Sequence, residues 1–278
     1  MSLVTRYRDW RRRRLLDRHA LPEESWNATL LAYAFFDRLD DDERARLRDC
    51  VSMFCASKEF AGAGGFTVTL QTQLAIAAQA CLPILNLDLS LYDGWHGIIV
   101  YAGEMVARRE VVDEDGVVHE YDEVIAGEAM PGGPVILSWE DVKLAGGEDA
   151  PSYNVVIHEF AHKIDMLKGE ATGVPPFFPA WHKGLDGREF AKTLERAHAA
   201  FAGEVERWDK GEVGDDQAPL IDPYAAENPA EFFAVLSEAF FTMPADVLDA
   251  FPDLYDLLCA YYRQNPLEFR GVRPRLLG

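Results

Sequence analysis

Basic side chains are scarce in this sequence. Its 278 residues include 27 Lys and Arg against 47 Asp and Glu, a formal net charge of −20. Binding to nucleic-acid phosphates needs the opposite balance, because cations must displace counterions. Nucleic acid is therefore excluded as the main partner. The exception is local. Residues 1–18 carry seven arginines and two aspartates, so the other 260 residues hold 20 basic and 45 acidic side chains. Long apolar runs are missing as well. The longest uncharged apolar runs, such as LLAYAFF at 30–36, fall well short of the roughly 20 residues that a membrane-spanning helix needs. No membrane segment is expected. The arginines at 11–14 are followed by Asp17, Arg18 and His19 with no apolar segment, so the start does not read as a secretory signal. Cysteine is rare too: Cys50, Cys55, Cys81 and Cys259 have no CxxC spacing. They read as reduced, buried thiols of a cytoplasmic protein, and a cysteine metal site is not expected. There is no internal repeat.

What is present is ordinary globular composition, 49% hydrophobic and 27% charged, with the length to bury a sizeable core. Helical periodicity runs through 21–36, through 40–58 after an acidic cluster, and through 69–82 before Pro83. A β-rich centre follows. Residues 96–102, 105–112 and 117–124 are short and rich in Val and Ile, and Asp115-Gly116 reads as a hairpin turn. PVILSW at 134–139 is a further strand, followed closely by acidic residues that can start a helix. From 151 onward the pattern is helical, at 152–168, 188–208, 228–242 and 245–264, with Gly- and Pro-rich loops at 169–179 and 210–223. This order predicts an α+β fold. It is a mostly helical single domain over 21–278 with a small central β-sheet, preceded by a basic arm or helix at 1–20.

One motif carries chemistry. His158-Glu159-Phe160-Ala161-His162 is an HExxH sequence inside a predicted helix. Positions i and i+4 differ by about 40° around a helix, so both imidazoles leave one face a turn apart, a bite suited to one Zn²⁺. Glu159 lies about 100° round from His158, placed to deprotonate a water rather than to bind metal. Val155, Val156, Ile157, Phe160, Ala161 and Ile164 bury this helix, where polar side chains need a reason to be. Asp165 and Lys168 stand where a metzincin would have Gly and His, which excludes that class. The third ligand must be a carboxylate from a later helix. Asp222, Glu227, Glu231 and Glu238 compete around YAAENPAEFFAVLSEAFF at 224–241. Asn228-Pro229 reads as a helix start, with Glu231 in the first turn and Glu238 within about 20° of the same face. Spacing does not choose between these two. Asp165 reads either as an acceptor for the outer N–H of a ligand histidine or as a surface carboxylate. His96 and His182, each beside a tryptophan, read as loop or packing residues.

HEFAHKID, PVILSW, GVPPF and YAAENPAEFFAVLSEAFF together resemble the Mlc titration factor A family of bacterial zinc peptidases, over about residues 22–268. The first and last of these blocks are also distantly similar to the catalytic domain of anthrax lethal factor. The resemblance implies a gluzincin-like zinc peptidase domain with one Zn²⁺ per chain, bound by His158, His162 and Glu231. Tyr224 lies at the active site, and Glu238 becomes a supporting carboxylate. His119, in Gly116-Val117-Val118-His119, is a further implied ligand. The activity implied is that of a cytoplasmic, aminopeptidase-like enzyme acting on peptides. In enterobacteria the family also binds a glucose-responsive transcriptional repressor. The first 20 residues and the long acidic loop at 203–219 depart from the family pattern and bear on that partnership. The second expectation is a regulatory binding module whose zinc is structural. It requires a shell closed by a fourth protein ligand such as His119, whereas catalysis requires water there.

Overall fold

A computed structural model describes residues 14, 16, 18–112, 118–145 and 153–268, with the backbone alone over 106–112, 118–124 and at 215. The basic arm expected at 1–20 lies mostly outside the described residues. The helices are α1 Glu23–Leu31, α2 Asp41–Ser57, α3 Leu70–Cys81, α4 Trp139–Leu144, α5 Val155–Asp165, α6 Gly187–Asp209, α7 Pro229–Thr242, α8 Pro244–Ala250 and α9 Pro252–Tyr262. The strands are β1 Glu59–Gly62, β2 Gly97–Tyr101, β3 Met105–Val112, β4 Val118–Ile125, β5 Gly127–Ala129 and β6 Val135–Ser138. Among the described residues, no helix is long and apolar enough to cross a membrane.

The helices start where the sequence supplies caps. Asp40 and Glu43 form a reciprocal capping box on α2, and Thr69 and Thr72 form one on α3. Asn154 Oδ1 accepts the Ile157 N–H at 3.0 Å to open α5. Four strands form a sheet in the order β1-β2-β6-β5, parallel except for β5, which runs antiparallel to β6 at the edge. The β1–α3–β2 crossover explains the parallel pairing. The hairpin β3–β4, which comes between β2 and β5 in the chain, forms a separate two-stranded ladder, and the expected turn at Asp115-Gly116 lies outside the described residues.

The α+β class expected from the sequence is the fold observed. Ile98, Val100, Val135 and Leu137 turn fully buried side chains from the sheet into the core. Helix α5 packs against β5 and β6, and against α3 and α7. Phe160 anchors it, with ring centroids 5.6 Å from Phe54, 5.0 Å from Tyr92 and 5.7 Å from Trp95.

Two predicted helices are broken. The segment 21–36 stops at Leu31 and resumes as a 3₁₀ turn at Ala34–Phe36, because Tyr33 adopts an extended conformation. That conformation buries the Tyr33 ring and lets its hydroxyl donate to Val142 O at 3.0 Å. The segment 245–264 divides at Phe251, which is kept out of the helical region by Pro252 and packs its ring on Phe232 at 5.4 Å. Strands β1 and β5, of four and three residues, were not expected.

The aromatic cluster around Phe160 predicts a large penalty for truncation. Phe160→Ala is expected to cost about 3–5 kcal/mol, as buried aromatic deletions do. Urea denaturation of both proteins measures this, and a loss below about 1 kcal/mol would show that α5 is not anchored there.

Candidate metal centre

The two histidines of α5 meet a carboxylate from α7. Pro229 opens α7, and Asn228 Oδ1 accepts the N–H groups of Ala230 and Glu231 at 2.9 and 3.0 Å. That cap fixes the first turn and presents Glu231 to α5. Glu231 Oε2 lies 3.1 Å from His158 Nε2 and 3.2 Å from His162 Nε2, and the two imidazole nitrogens are 3.2 Å apart. Protons alone satisfy this triangle poorly. If both Nε2 atoms carry hydrogen they repel each other across 3.2 Å, if only one does the bare nitrogen still faces the carboxylate, and if neither does three lone pairs converge.

A cation at the centre satisfies all three. Tetrahedral Zn²⁺ with bonds of about 2.0–2.1 Å sets its donors roughly 3.3 Å apart, close to what is seen. Among the described residues, this is the one group of His, Cys, Asp and Glu whose ligand atoms all lie within 4.8 Å of one another. The cluster fits a metal ion. Without one, burial would raise the Glu231 carboxyl, but hydrogen bonds to His158 and His162 outweigh it and hold the group at about 2.

The outer side of His158 faces a second carboxylate. Its Nδ1 is buried without a hydrogen-bond partner and lies 3.7 Å from Glu238 Oε1. Glu238 is 1% exposed, and its other oxygen accepts the Asn154 N–H at 3.0 Å. With Nε2 turned to a metal, Nδ1 carries the proton and Glu238 is the acceptor in reach. Glu238 thus stands behind the histidine, away from the triangle. Asp165, read from the sequence as a possible partner of that kind, does something else. Its Oδ2 accepts the N–H groups of Thr172 and Gly173 at 2.7 and 2.6 Å, fastening the GVPPF loop. His182 packs as expected, stacked on Tyr261 at 4.4 Å. His96 lies in an exposed loop, its Nδ1 3.2 Å from Ser57 O.

Glu159 is 5% exposed and lines the cleft beside both histidines. Burial pushes its carboxyl up, against the pull of His158 and His162. Tyr224 stands in the 3₁₀ turn Pro223–Ala226, its ring centroid 6.1 Å from that of His158. His119 pairs with Val111 on the β3–β4 hairpin, and its side chain lies outside the described residues.

Two residues that shape the site were missed in the sequence. At Gly127 a Cβ would lie 2.6 Å from Val155 Cγ2 and 2.7 Å from Glu159 Oε1, so only glycine lets β5 approach α5 this closely. A lone glycine between two short strands was the available signal. Lys163 is 3% exposed and donates to Met130 O at 2.6 Å and Gly133 O at 2.7 Å, tying the β5–β6 turn to α5. Its ammonium sits 4.6 Å from the Trp95 ring centroid. A charge inside a buried helical pattern was the signal there.

A buried helix carrying two histidines and a glutamate, completed by a carboxylate from a second helix, defines the class of HExxH metallopeptidases. The family model for the glucose-regulated metallo-peptidase M90 matches residues 7–263, and the chain belongs to that family. It is similar to Mlc titration factor A of Pectobacterium atrosepticum, 36% identical over 245 residues that cover 88% of this chain and 87% of the relative. The Mlc titration factor A of Salmonella schwarzengrund is 36% identical, covering 87% and 86%. That of Escherichia coli is 35% identical, covering 83% and 82%.

The triangle predicts unequal effects of substitution. His158→Ala or His162→Ala is expected to abolish stoichiometric metal binding. Glu231→Gln is expected to weaken it by at least 10-fold, whereas Glu238→Gln keeps the metal at full occupancy. Metal analysis after dialysis reads the order, and its reversal would exchange the roles of the two glutamates.

Proposed function

We propose that this chain is a zinc-dependent peptidase with aminopeptidase-like activity, in which His158, His162 and Glu231 hold one Zn²⁺. The observation that carries this is the convergence of three donor atoms at 3.1–3.2 Å on the wall of a 590 Å³ cleft. Two imidazoles and one carboxylate are the donor set of catalytic sites that keep an open position, and closed structural sites use four protein ligands. Zinc bound there would lower the pKa of a coordinated water towards about 7 and polarise a peptide carbonyl.

The chain's own groups do the rest. Strand β5 ends the sheet along the cleft, where an extended peptide can add a strand. Glu159 takes the proton of the attacking water. Burial pushes its carboxyl up, which favours the return of that proton from the same group to the leaving amine. Tyr224 donates its phenolic hydrogen to the developing oxyanion. The four cysteines are unpaired, which suits a cytoplasmic setting.

A second reading concerns a partner. The relatives are named for titrating Mlc, and this chain would bind a repressor of that kind through its surface. If that were its sole role, the zinc would be structural and His119 would complete the shell.

The two readings separate at Glu159, which touches the outcome of catalysis and not the metal. Glu159→Gln is expected to keep zinc and to lower kcat on peptide anilides by about 10²–10⁴-fold. Tyr224→Phe is expected to lose on the order of 10²-fold. Steady-state kinetics on zinc-loaded proteins measures both. Equal rates for Glu159→Gln and wild type would end the enzyme reading.

A further inference from the structure

Two cavities meet at the metal cluster. The larger cleft continues past Met166, Thr172 and Pro229. The smaller one, of 320 Å³, shares His158, Glu159 and Tyr224 with it and runs on between Tyr153, Asp222, Val235 and Glu238. Its walls are therefore aromatic and aliphatic, with carboxylates among them. Among the described residues no lysine or arginine lines it. Glu159 and Glu238 are already committed, one beside the metal cluster and the other behind His158. Asp222 is the carboxylate that the chemistry leaves over.

The position of Asp222 is specific. Its Oδ1 accepts the Tyr224 N–H at 2.9 Å, so the carboxylate sits at the main-chain end of that tyrosine. Asp222 thus lines the cavity as the carboxylate that neither the metal cluster nor His158 takes up, and a cationic side chain entering there would pair with it.

We infer that the smaller cavity receives the side chain on the amino side of the scissile bond and selects lysine or arginine there through Asp222. This rests on the aminopeptidase-like reading, in which a single residue lies on that side of the bond. The short cavity suits one residue, whereas the larger cleft has room for the chain that follows. Tyr153, Tyr224 and Val235 offer an apolar channel for the methylene stem, and tyrosine faces favour a cation passing over them. The substrate's own α-ammonium stays two bonds from the reacting carbonyl carbon, whereas Asp222 lines the part of the smaller cavity that the larger cleft does not share. A side chain can extend into that part.

The test uses zinc-loaded protein and the 4-nitroanilides of lysine, arginine and norleucine, the last having lysine's stem without its charge. The lysyl and arginyl substrates are expected to exceed norleucyl in kcat/KM by about 10- to 100-fold, as a charge-assisted pair allows. Asp222→Asn keeps an acceptor for the Tyr224 N–H but removes the charge. It is expected to slow the lysyl substrate until the ratio falls to about one, and Asp222→Glu is expected to restore part of it. Equal wild-type rates for lysyl and norleucyl substrates would overturn the inference. So would an equal loss on both in Asp222→Asn, which would leave Asp222 only holding Tyr224 or meeting the α-ammonium. Lysinamide and norleucinamide binding, measured by calorimetry on the same protein, separates this from the peptidase reading. Tighter lysinamide binding without any cleavage would keep the pocket and remove the peptidase. Equal binding of both amides would remove the pocket whatever the activity.

Discussion

All eleven residues of helix α5 are buried, and five of them, His158, Glu159, His162, Lys163 and Asp165, are ionisable. Taking one ion out of water costs several kcal/mol unless it is paired, so a helix of this kind persists only if the rest of the molecule supplies partners. Much of the architecture answers that demand. Lys163 receives two carbonyls from the β5–β6 turn and the face of Trp95. Asp165 receives two N–H groups from the loop after α5. The histidines receive Glu231, and the outer side of His158 faces Glu238.

These partners also build the cleft. The carbonyls that neutralise Lys163 belong to the turn that holds β5, so satisfying one buried charge sets the edge strand against the helix. Gly127 lets that strand come within contact of Glu159. The N–H groups that satisfy Asp165 fix Gly173, whose backbone lies so close to Pro229 that a Cβ would be 2.2 Å from its carbonyl oxygen. That contact places the GVPPF loop against the start of α7, and hence against the turn that presents Glu231. Electrostatic accounting and site geometry are here the same problem. The aromatic packing of Phe160 on one side and the apolar residues of α7 on the other supply the burial that makes the accounting strict.

Much of this was legible in the sequence. The HExxH spacing put both imidazoles on one helix face, and Asn228-Pro229 marked the start of the helix that brings Glu231. Spacing left Glu231 and Glu238 open. Both face α5, and only the placement of α7 against it decides that one meets the Nε2 side and the other the Nδ1 side. Asp165 was ambiguous for the same reason, since its partners come from a loop with no periodic signal. Strands β1 and β5 are too short for alternation to show. Gly127 and Lys163 were visible as residues, but their roles depend on contacts across 32 and 33 positions of sequence. The break at Tyr33 is a tertiary override, in which burying one ring and satisfying its hydroxyl outweighs continuing a helix.

X-ray absorption spectroscopy of the zinc-loaded protein, read together with anomalous diffraction at the zinc edge, locates the ion and counts its neighbours. One ion per chain is expected at the centre of the triangle formed by His158, His162 and Glu231. Two nitrogen and two oxygen neighbours are expected at about 2.0–2.2 Å, one oxygen being water. An ion located elsewhere, or a shell completed by a third histidine nitrogen in place of water, would contradict this coordination.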